Sequence, residues 1–120
     1  MPFNYLLTNL LVDVPQAVGA IFADPEGEAV DWVTRHDSPF DLKVEGAYHS
    51  IFKRQLENLQ TAAATGEIHS YVLEGTSLIT LTESLPDGYY VVLVIDRRGS
   101  QAQAKHRLRY AAEMIARELV

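Results

Sequence analysis

Four histidines are the first candidates for chemistry in this 120-residue sequence: His36, His49, His69 and His106. Glu45 precedes His49 by four residues, which places both on one face of a helix. Two ligands on a helix do not complete a metal site, and no His-Glu-x-x-His motif accompanies them. The other histidines fall on separate predicted elements. Hydrogen-bonded or solvated histidines are the better interpretation, and we predict neither a metal nor a cofactor.

Nucleophilic catalysis has equally little support. No serine lies in a Gly-x-Ser-x-Gly elbow, and a chain with no cysteine has no thiol nucleophile.

The segment 97–100, Arg-Arg-Gly-Ser, fits either an anion site at the start of a helix or a simple polar turn, and we favour the turn. A basic residue that acts as an arginine finger must reach the phosphates of a partner. For Arg35, Lys53 and Arg54 we favour solvated charge, and we predict that the protein is not an enzyme.

Composition narrows the class of protein further. The formal net charge is -6, with 10 Lys and Arg against 16 Asp and Glu, which disfavours nucleic acid as a partner. Residues 1–5 carry no basic charge of the kind that opens a secretory signal. The longest apolar run, Tyr89 to Ile95, is too short to span a bilayer as a helix. With 48% hydrophobic residues the chain fits one domain, 1–120, and a cytoplasmic location is the default.

The stretch from Phe40 to Gly66 is predicted to be one long helix. Its apolar positions cover roughly half of a helical wheel at about 100° per residue, whereas one core surface needs an arc of only about 100°. The apolar surface beyond that arc requires a second partner, either another helix of this chain or another chain. The apolar positions are Phe40, Val44, Ala47, Tyr48, Ile51, Phe52, Leu56, Leu59, Ala62 and Ala63.

The remaining sequence alternates predicted strands and two one-sided helices. The first helix covers Phe3 to Val14, and the last opens at Ser100 with a capping-box pattern. The strand from Tyr89 to Asp96 is apolar on both faces and belongs in the middle of a sheet. The strand from Glu67 to Glu74 mixes polar and apolar residues, as an edge strand does. The other predicted strands are Ala17–Ala23, Ala29–Thr34 and Leu78–Glu83.

This order of elements resembles the Roadblock family, which includes dynein light chains, lysosomal scaffold subunits and bacterial regulators of Ras-like GTPases. The segment 10–27, Leu-Leu-Val-Asp-Val-Pro-Gln-Ala-Val-Gly-Ala-Ile-Phe-Ala-Asp-Pro-Glu-Gly, is similar to the family's helix end, small-residue strand and hairpin. Residues 90–96 resemble its central strand, and Ser100 onward its last helix. The sequence departs from many relatives at Pro15 and Gln16, where they have a glycine.

The resemblance implies an α/β (α+β) fold, a profilin-like three-layer sandwich. Its five-stranded antiparallel sheet has the order 2-1-5-4-3, with the long helix on one face and the terminal helices on the other. Family members pair through the long helix and the edge of the third strand. A homodimer of this kind buries both the wide apolar arc and the edge strand in one self-complementary contact.

We therefore predict a non-catalytic homodimeric module, paired through residues 40–74, that regulates a small Ras-like GTPase or scaffolds a larger assembly. The alternative is a small-ligand sensing domain of the PAS or GAF architecture, which requires a cavity between sheet and helix. The residues predicted to form the interface are Tyr48, Ile51, Phe52, Gln55, Leu59, Ile68, Ser70 and Val72.

Overall fold

A computed structural model describes residues 2–35, 43, 46–49, 53–54, 56–57 and 68–119. The helical residues 43, 46–49, 53–54 and 56–57 are called the middle helical residues below. A 3-10 turn at Pro86–Gly88 joins the fourth and fifth strands. The other elements are α1 (Pro2–Asp13), β1 (Ala17–Ala23), β2 (Ala29–Thr34), β3 (Ser70–Glu74), β4 (Leu78–Ser84), β5 (Tyr90–Asp96) and α2 (Gln101–Glu118).

The strands form a five-stranded antiparallel sheet in the order β2-β1-β5-β4-β3. The predicted fold and strand order are confirmed. β5 lies in the centre, and its residues Tyr90 to Ile95 are buried on both faces. β2 and β3 are the two edges, so the polar–apolar mixture of the third strand indicated its position correctly.

Two apolar clusters separate the faces of the sheet. The larger one packs α1 and α2 against one face and contains the fully buried Leu7, Phe22, Leu93 and Leu108. Burying each such side chain contributes about 1.5–3 kcal/mol. The smaller cluster occupies the opposite face and is centred on Ile21, Tyr90, Val92 and Val94. The middle helical residues cover this second face.

The start of α2 forms half of the predicted capping box. The Ser100 hydroxyl accepts a hydrogen bond from the Gln103 amide at 3.1 Å. The Gln103 side chain does not return this bond, because its amide donates to the Asp13 carbonyl at 3.4 Å. The cap of α2 thereby also satisfies a carbonyl at the end of α1.

The third strand is shorter than predicted. It begins at Ser70, and His69 and Ile68 precede it, with the Ile68 carbonyl accepting a hydrogen bond from the Ser84 hydroxyl at 3.1 Å. Glu67, where the predicted strand begins, and Phe40 and Gly66, the two ends of the predicted long helix, lie outside the described residues.

In the described part of the chain, no helix is long and apolar enough to cross a membrane.

Candidate interaction surface

Among the middle helical residues, Gly46, His49 and Lys53 face the sheet. A Cβ atom on Gly46 would lie 3.3 Å from Cδ1 of Ile21, so this position approaches β1 closely. The Tyr90 hydroxyl donates a hydrogen bond to the Gly46 carbonyl. We predicted that the wide apolar arc supplies both a sheet side and a partner side of the helix, and most of its residues lie outside the described ones.

His49 is buried between the middle helical residues and the sheet, at 2% exposure. Its Nδ1 lies 2.9 Å from the Thr82 hydroxyl and 3.2 Å from the Tyr71 hydroxyl. The Tyr71 hydroxyl donates to the His49 carbonyl at 2.8 Å, and the two rings stack with centroids 5.6 Å apart. This histidine therefore joins the helix to β3 and β4 as a hydrogen-bonded core residue.

Two of the other candidate metal ligands are described. His69 and His106 are exposed, and His36 and Glu45 lie outside the described residues. Among the residues that the structure describes, no group of three or more His, Cys, Asp or Glu side chains could hold a metal ion.

Lys53 is buried, at 8% exposure, so the prediction of a solvated charge was wrong here. Its Nζ lies 3.8 Å from the Glu57 carboxylate and 5.6 Å from the centre of the Tyr90 ring. Burial lowers the pKa of Lys53 below its ordinary 10.5, because desolvation disfavours the ammonium form, and Glu57 opposes that shift less strongly. The lysine stem packs against the sheet.

Arg35 is also engaged, although it was predicted to be solvated. Its guanidinium donates to the backbone carbonyls that end α1 and lead into β1, which stabilises a helix C-terminus. It therefore holds the turn at Pro15, where the sequence departs from the Roadblock pattern. The acceptors are Leu11 at 2.6 Å, Pro15 at 2.9 Å, Val14 at 3.4 Å and Ala17.

The segment 97–100 forms the polar turn that we favoured. Arg97 donates to the Gly75 carbonyl at 2.8 Å, and Arg98 donates to the Asp96 carboxylate at 2.9 Å. That pairing lowers the pKa of Asp96, chiefly through the side-chain hydrogen bond from Arg98. The guanidinium groups of both arginines are thus bonded to the protein.

Arg54, the third basic residue considered as an arginine finger, donates to the Pro25 carbonyl at 3.4 Å.

Tyr48 points away from the sheet and is 67% exposed. Ala47 beside it is also exposed, whereas Gly46 and His49 on either side are buried. Of the predicted interface residues, Tyr48, Ile68, Ser70 and Val72 are described. Ile51, Phe52, Gln55 and Leu59 lie outside the described residues.

β3 presents backbone groups at the edge of the sheet. The Gly75 amide donates to the Leu78 carbonyl, and the Ser84 amide donates to the His69 carbonyl. Because antiparallel strands direct alternate residues towards the partner strand, Ser70, Val72 and Glu74 direct their N–H and C=O groups away from β4. None of the residues that the structure describes pairs with these groups. The Val72 side chain is 37% exposed as well.

An open depression of about 420 Å³ lies at the end of the sheet. Lys53 and Glu57 form one wall, and the turn after Ser84 forms the other. Sensing domains enclose most of their ligand, whereas this depression opens to solvent. It therefore does not support the sensing alternative.

Comparison with known proteins gives structural matches only. No family model matches the sequence, and no curated protein sequence matches it. A Roadblock/LC7 domain from Streptomyces avermitilis matches 97% of this chain and 96% of its own, with a TM-score of 0.88 at 14% identity. Myxococcus xanthus MglB covers 99% and 95%, with a TM-score of 0.88 at 14% identity. Myxococcus xanthus MglC covers 98% and 99%, with a TM-score of 0.71 at 21% identity.

Proposed function

We propose that this chain, which has the Roadblock/LC7 fold, is a non-catalytic module that pairs with a second copy of itself and regulates a small Ras-like GTPase or scaffolds a larger assembly. The fold supports this proposal, because its structural neighbours include MglB and MglC. One MglB structure is described as a tetrameric arrangement. The GTPase partner follows from the family resemblance of the sequence to bacterial regulators of such enzymes.

The orientation of the middle helical residues is the observation that carries the proposal. Gly46, His49 and Lys53 face the sheet. On a wheel at about 100° per residue, the centre of the predicted apolar arc lies roughly 140° away from these three positions. From this wheel we expect most of the arc to face away from the sheet, and its described members Ala47 and Tyr48 are exposed. Contiguous exposed apolar surface marks an interaction site.

The free edge of β3 lies beside this surface. Tyr71 on β3 hydrogen-bonds to His49, the neighbour of Tyr48. A twofold axis near this edge pairs β3 with its copy and brings the two helix surfaces together. Such a contact satisfies the outward backbone groups of Ser70 and Val72 and buries the apolar arc at the same time.

Sedimentation equilibrium at micromolar concentration tests the pairing. We expect the wild-type protein to be a dimer and Tyr48→Asp to raise the dissociation constant at least tenfold, because the substitution buries an unpaired carboxylate. Tyr5→Asp is the matched control, since Tyr5 is also exposed, at 53%, but lies on α1 across the sheet. A monomeric wild-type protein with an intact circular dichroism spectrum contradicts the proposal.

The GTPase component has its own test. The protein is immobilised and incubated with extract of its native cell in the presence of GDP or a non-hydrolysable GTP analogue, and recovered GTPases are then purified and titrated directly. Preference for one nucleotide state supports regulation. Equal recovery in both states supports the scaffold form, and a dimer that recovers no GTPase contradicts the regulatory form.

A further inference from the structure

The positive charge of this acidic protein is concentrated at its C-terminus. Residues 97–120 contain six Lys and Arg against two Asp and Glu, a net charge of +4. Residues 1–96 contain four Lys and Arg against fourteen Asp and Glu, a net charge of -10. The overall net charge of -6 conceals this division.

Most of these basic residues lie on α2 and are exposed to solvent. Arg107 lies 4.0 Å from the Asp13 carboxylate and keeps 45% of its side chain exposed. Arg109 lies 3.6 Å from Glu83 with 56% exposed. Lys105 and His106 are exposed as well. Exposed ion pairs at such distances are weak, so the guanidinium groups remain able to bind a further anion.

A groove between α1 and α2 adjoins this basic surface. It has a volume of about 140 Å³, and we call it the α1–α2 groove. Tyr5 and Tyr110 stand on its two sides, at 53% and 56% exposure. A cavity of about 150 Å³ accepts a benzene molecule, so the groove has room for one aromatic ring or branched aliphatic side chain. It is lined by Tyr5, Leu6, Asn9, Leu10, Asp13, Arg107, Tyr110, Ala111 and Met114.

We propose that the α1–α2 groove docks an acidic peptide segment of a partner protein, which inserts one large apolar side chain between Tyr5 and Tyr110. The acidic residues of the segment lie over Arg107 and His106. Charge complementarity identifies the occupant, because the groove adjoins the one segment of net positive charge in a chain whose other residues repel acidic ligands. Tyrosine and arginine are also the residue types that dominate binding energy at interfaces.

An anionic membrane fits this surface less well. The groove is concave and accepts a single side chain, whereas a bilayer is engaged by apolar residues that project from the surface. The net charge of -10 on residues 1–96 also opposes approach to an extended anionic surface. A short peptide meets only local charge, since screening reduces interactions beyond about 8 Å at physiological salt.

The groove is also separate from the proposed pairing surface. α1 and α2 pack on one face of the sheet, and the middle helical residues cover the other. A dimer that forms through β3 and the middle helical residues leaves the groove open in each copy. The inference goes beyond the proposed function and does not depend on it.

Fluorescence anisotropy with a synthetic probe tests the inference. The probe is a fluorescein-labelled twelve-residue peptide of alternating Asp and Glu with one central Phe, and the comparison peptide has Ala in place of Phe. We expect saturable binding of the Phe peptide, at least tenfold weaker binding of the Ala peptide, and loss of affinity as salt rises. Absence of saturable binding, or equal binding of both peptides, overturns the proposal.

Variants locate the site on the protein. Arg107→Gln and Tyr110→Ala are each expected to weaken binding of the Phe peptide at least fivefold. Arg98→Gln is the matched control, because it removes one charge from a side chain that is 88% exposed and does not line the groove, and it is expected to change affinity less than twofold. Circular dichroism verifies that each variant is folded. Equal losses in the Arg107 and Arg98 variants, or binding to phosphatidylserine vesicles with none to the peptide, overturn the proposal.

Discussion

The two edges of the sheet differ in whether their outward backbone groups are hydrogen-bonded. On β2 the Arg35 amide donates to the Val18 carbonyl, so the backbone groups of Trp32, three residues earlier, point outward. Both groups are occupied. The Trp32 amide donates to the Asp31 carboxylate at 2.9 Å, and its carbonyl accepts from the Asn4 side chain at 3.4 Å.

The β3 edge has no such protection among the described residues. Ser70, Val72 and Glu74 direct their backbone groups outward, and no neighbouring side chain of the described ranges caps them. Open edges expose a template for strand pairing, and proteins commonly block them with charged residues or covering elements. One edge of this sheet is blocked by α1 and a carboxylate, whereas the outward backbone groups of the other have no partner in the described part of the chain. The contrast supports the proposed pairing through β3.

The largest effect is expected from Val72→Pro. Val72 directs its N–H away from β4, so a proline there spares the ladder of the protomer and removes a donor only from the outer edge. We expect the dimer dissociation constant to rise about a hundredfold, equivalent to about 2.7 kcal/mol, in sedimentation equilibrium. Leu73→Pro is the control, because the Leu73 N–H faces Thr80 on β4 and its loss destabilises the fold itself. A dimer as tight as wild type with Val72→Pro removes β3 from the interface.

A smaller effect is expected when the blocked edge is opened. Asp31→Val removes the acceptor of the Trp32 amide together with an edge charge. Because the substitution also removes a buried carboxylate oxygen without a hydrogen-bond partner, we expect the free energy of unfolding to change by less than about 1 kcal/mol. We expect assemblies larger than the wild-type species in sedimentation velocity at high concentration.

Asp31→Asn is the matched control, since it keeps an acceptor oxygen for the Trp32 amide. It is expected to sediment as the wild type does. If Asp31→Val also sediments as the wild type does, the side chain is not what keeps the β2 edge from associating, and the contrast between the edges loses its physical basis.

Hydrophobic pattern predicted the strands and the central position of β5, whereas the strand order 2-1-5-4-3 came from the family resemblance. β5 is apolar at every position from Tyr90 to Ile95, and only the centre of a covered sheet accommodates such a strand. β3 mixes polar and apolar residues and lies at an edge. These predictions succeeded because each depends on the residues of one strand and on the faces that it presents.

The polar contacts of the second face could not be predicted in this way. The hydroxyl groups that bond to His49 come from β3 and β4, and the ring beside Lys53 comes from β5, far away in the sequence. One signal was present, because the alternation in β4 places Thr80 and Thr82 on one face and Ile79 and Leu81 on the other. Of these two hydroxyl groups, that of Thr82 contacts His49, whereas that of Thr80 has no hydrogen-bond partner among the described residues.

Arg35 was missed for a related reason. Its partners are backbone carbonyls, which no residue type identifies, and they lie 18 to 24 residues earlier in the chain. The caps of the β2 edge also combine residues from separate elements, Asn4 on α1 and Asp31 on β2. Sequence patterns identified the open edge, whereas the means of closing the other edge became visible only from contacts between elements.

The smallest effect concerns Glu83, which lies opposite Ser70 in the register of β3 and β4. Burial raises the pKa of Glu83 above its ordinary 4.5, and Arg109, Lys105 and His69 oppose the shift. The folded protein therefore holds this proton at pH values where the unfolded chain has released it. The resulting contribution to stability is complete below pH 4.5 and is lost as the pH rises through the folded-state pKa.

Glu83→Gln removes this titration. We expect the free energy of unfolding of the wild-type protein, relative to that of Glu83→Gln, to fall as the pH rises above 4.5, measured by urea unfolding at several pH values. The change should be modest, because Arg109, Lys105 and His69 oppose the desolvation that raises the pKa of Glu83. Since Glu83 points towards α2 and not outward from β3, the dimer dissociation constant should be the same in both proteins. A variant that alters dimerisation as strongly as Val72→Pro would show that the β3 edge acts together with the face beneath α2, and the interface would then extend beyond the strand edge.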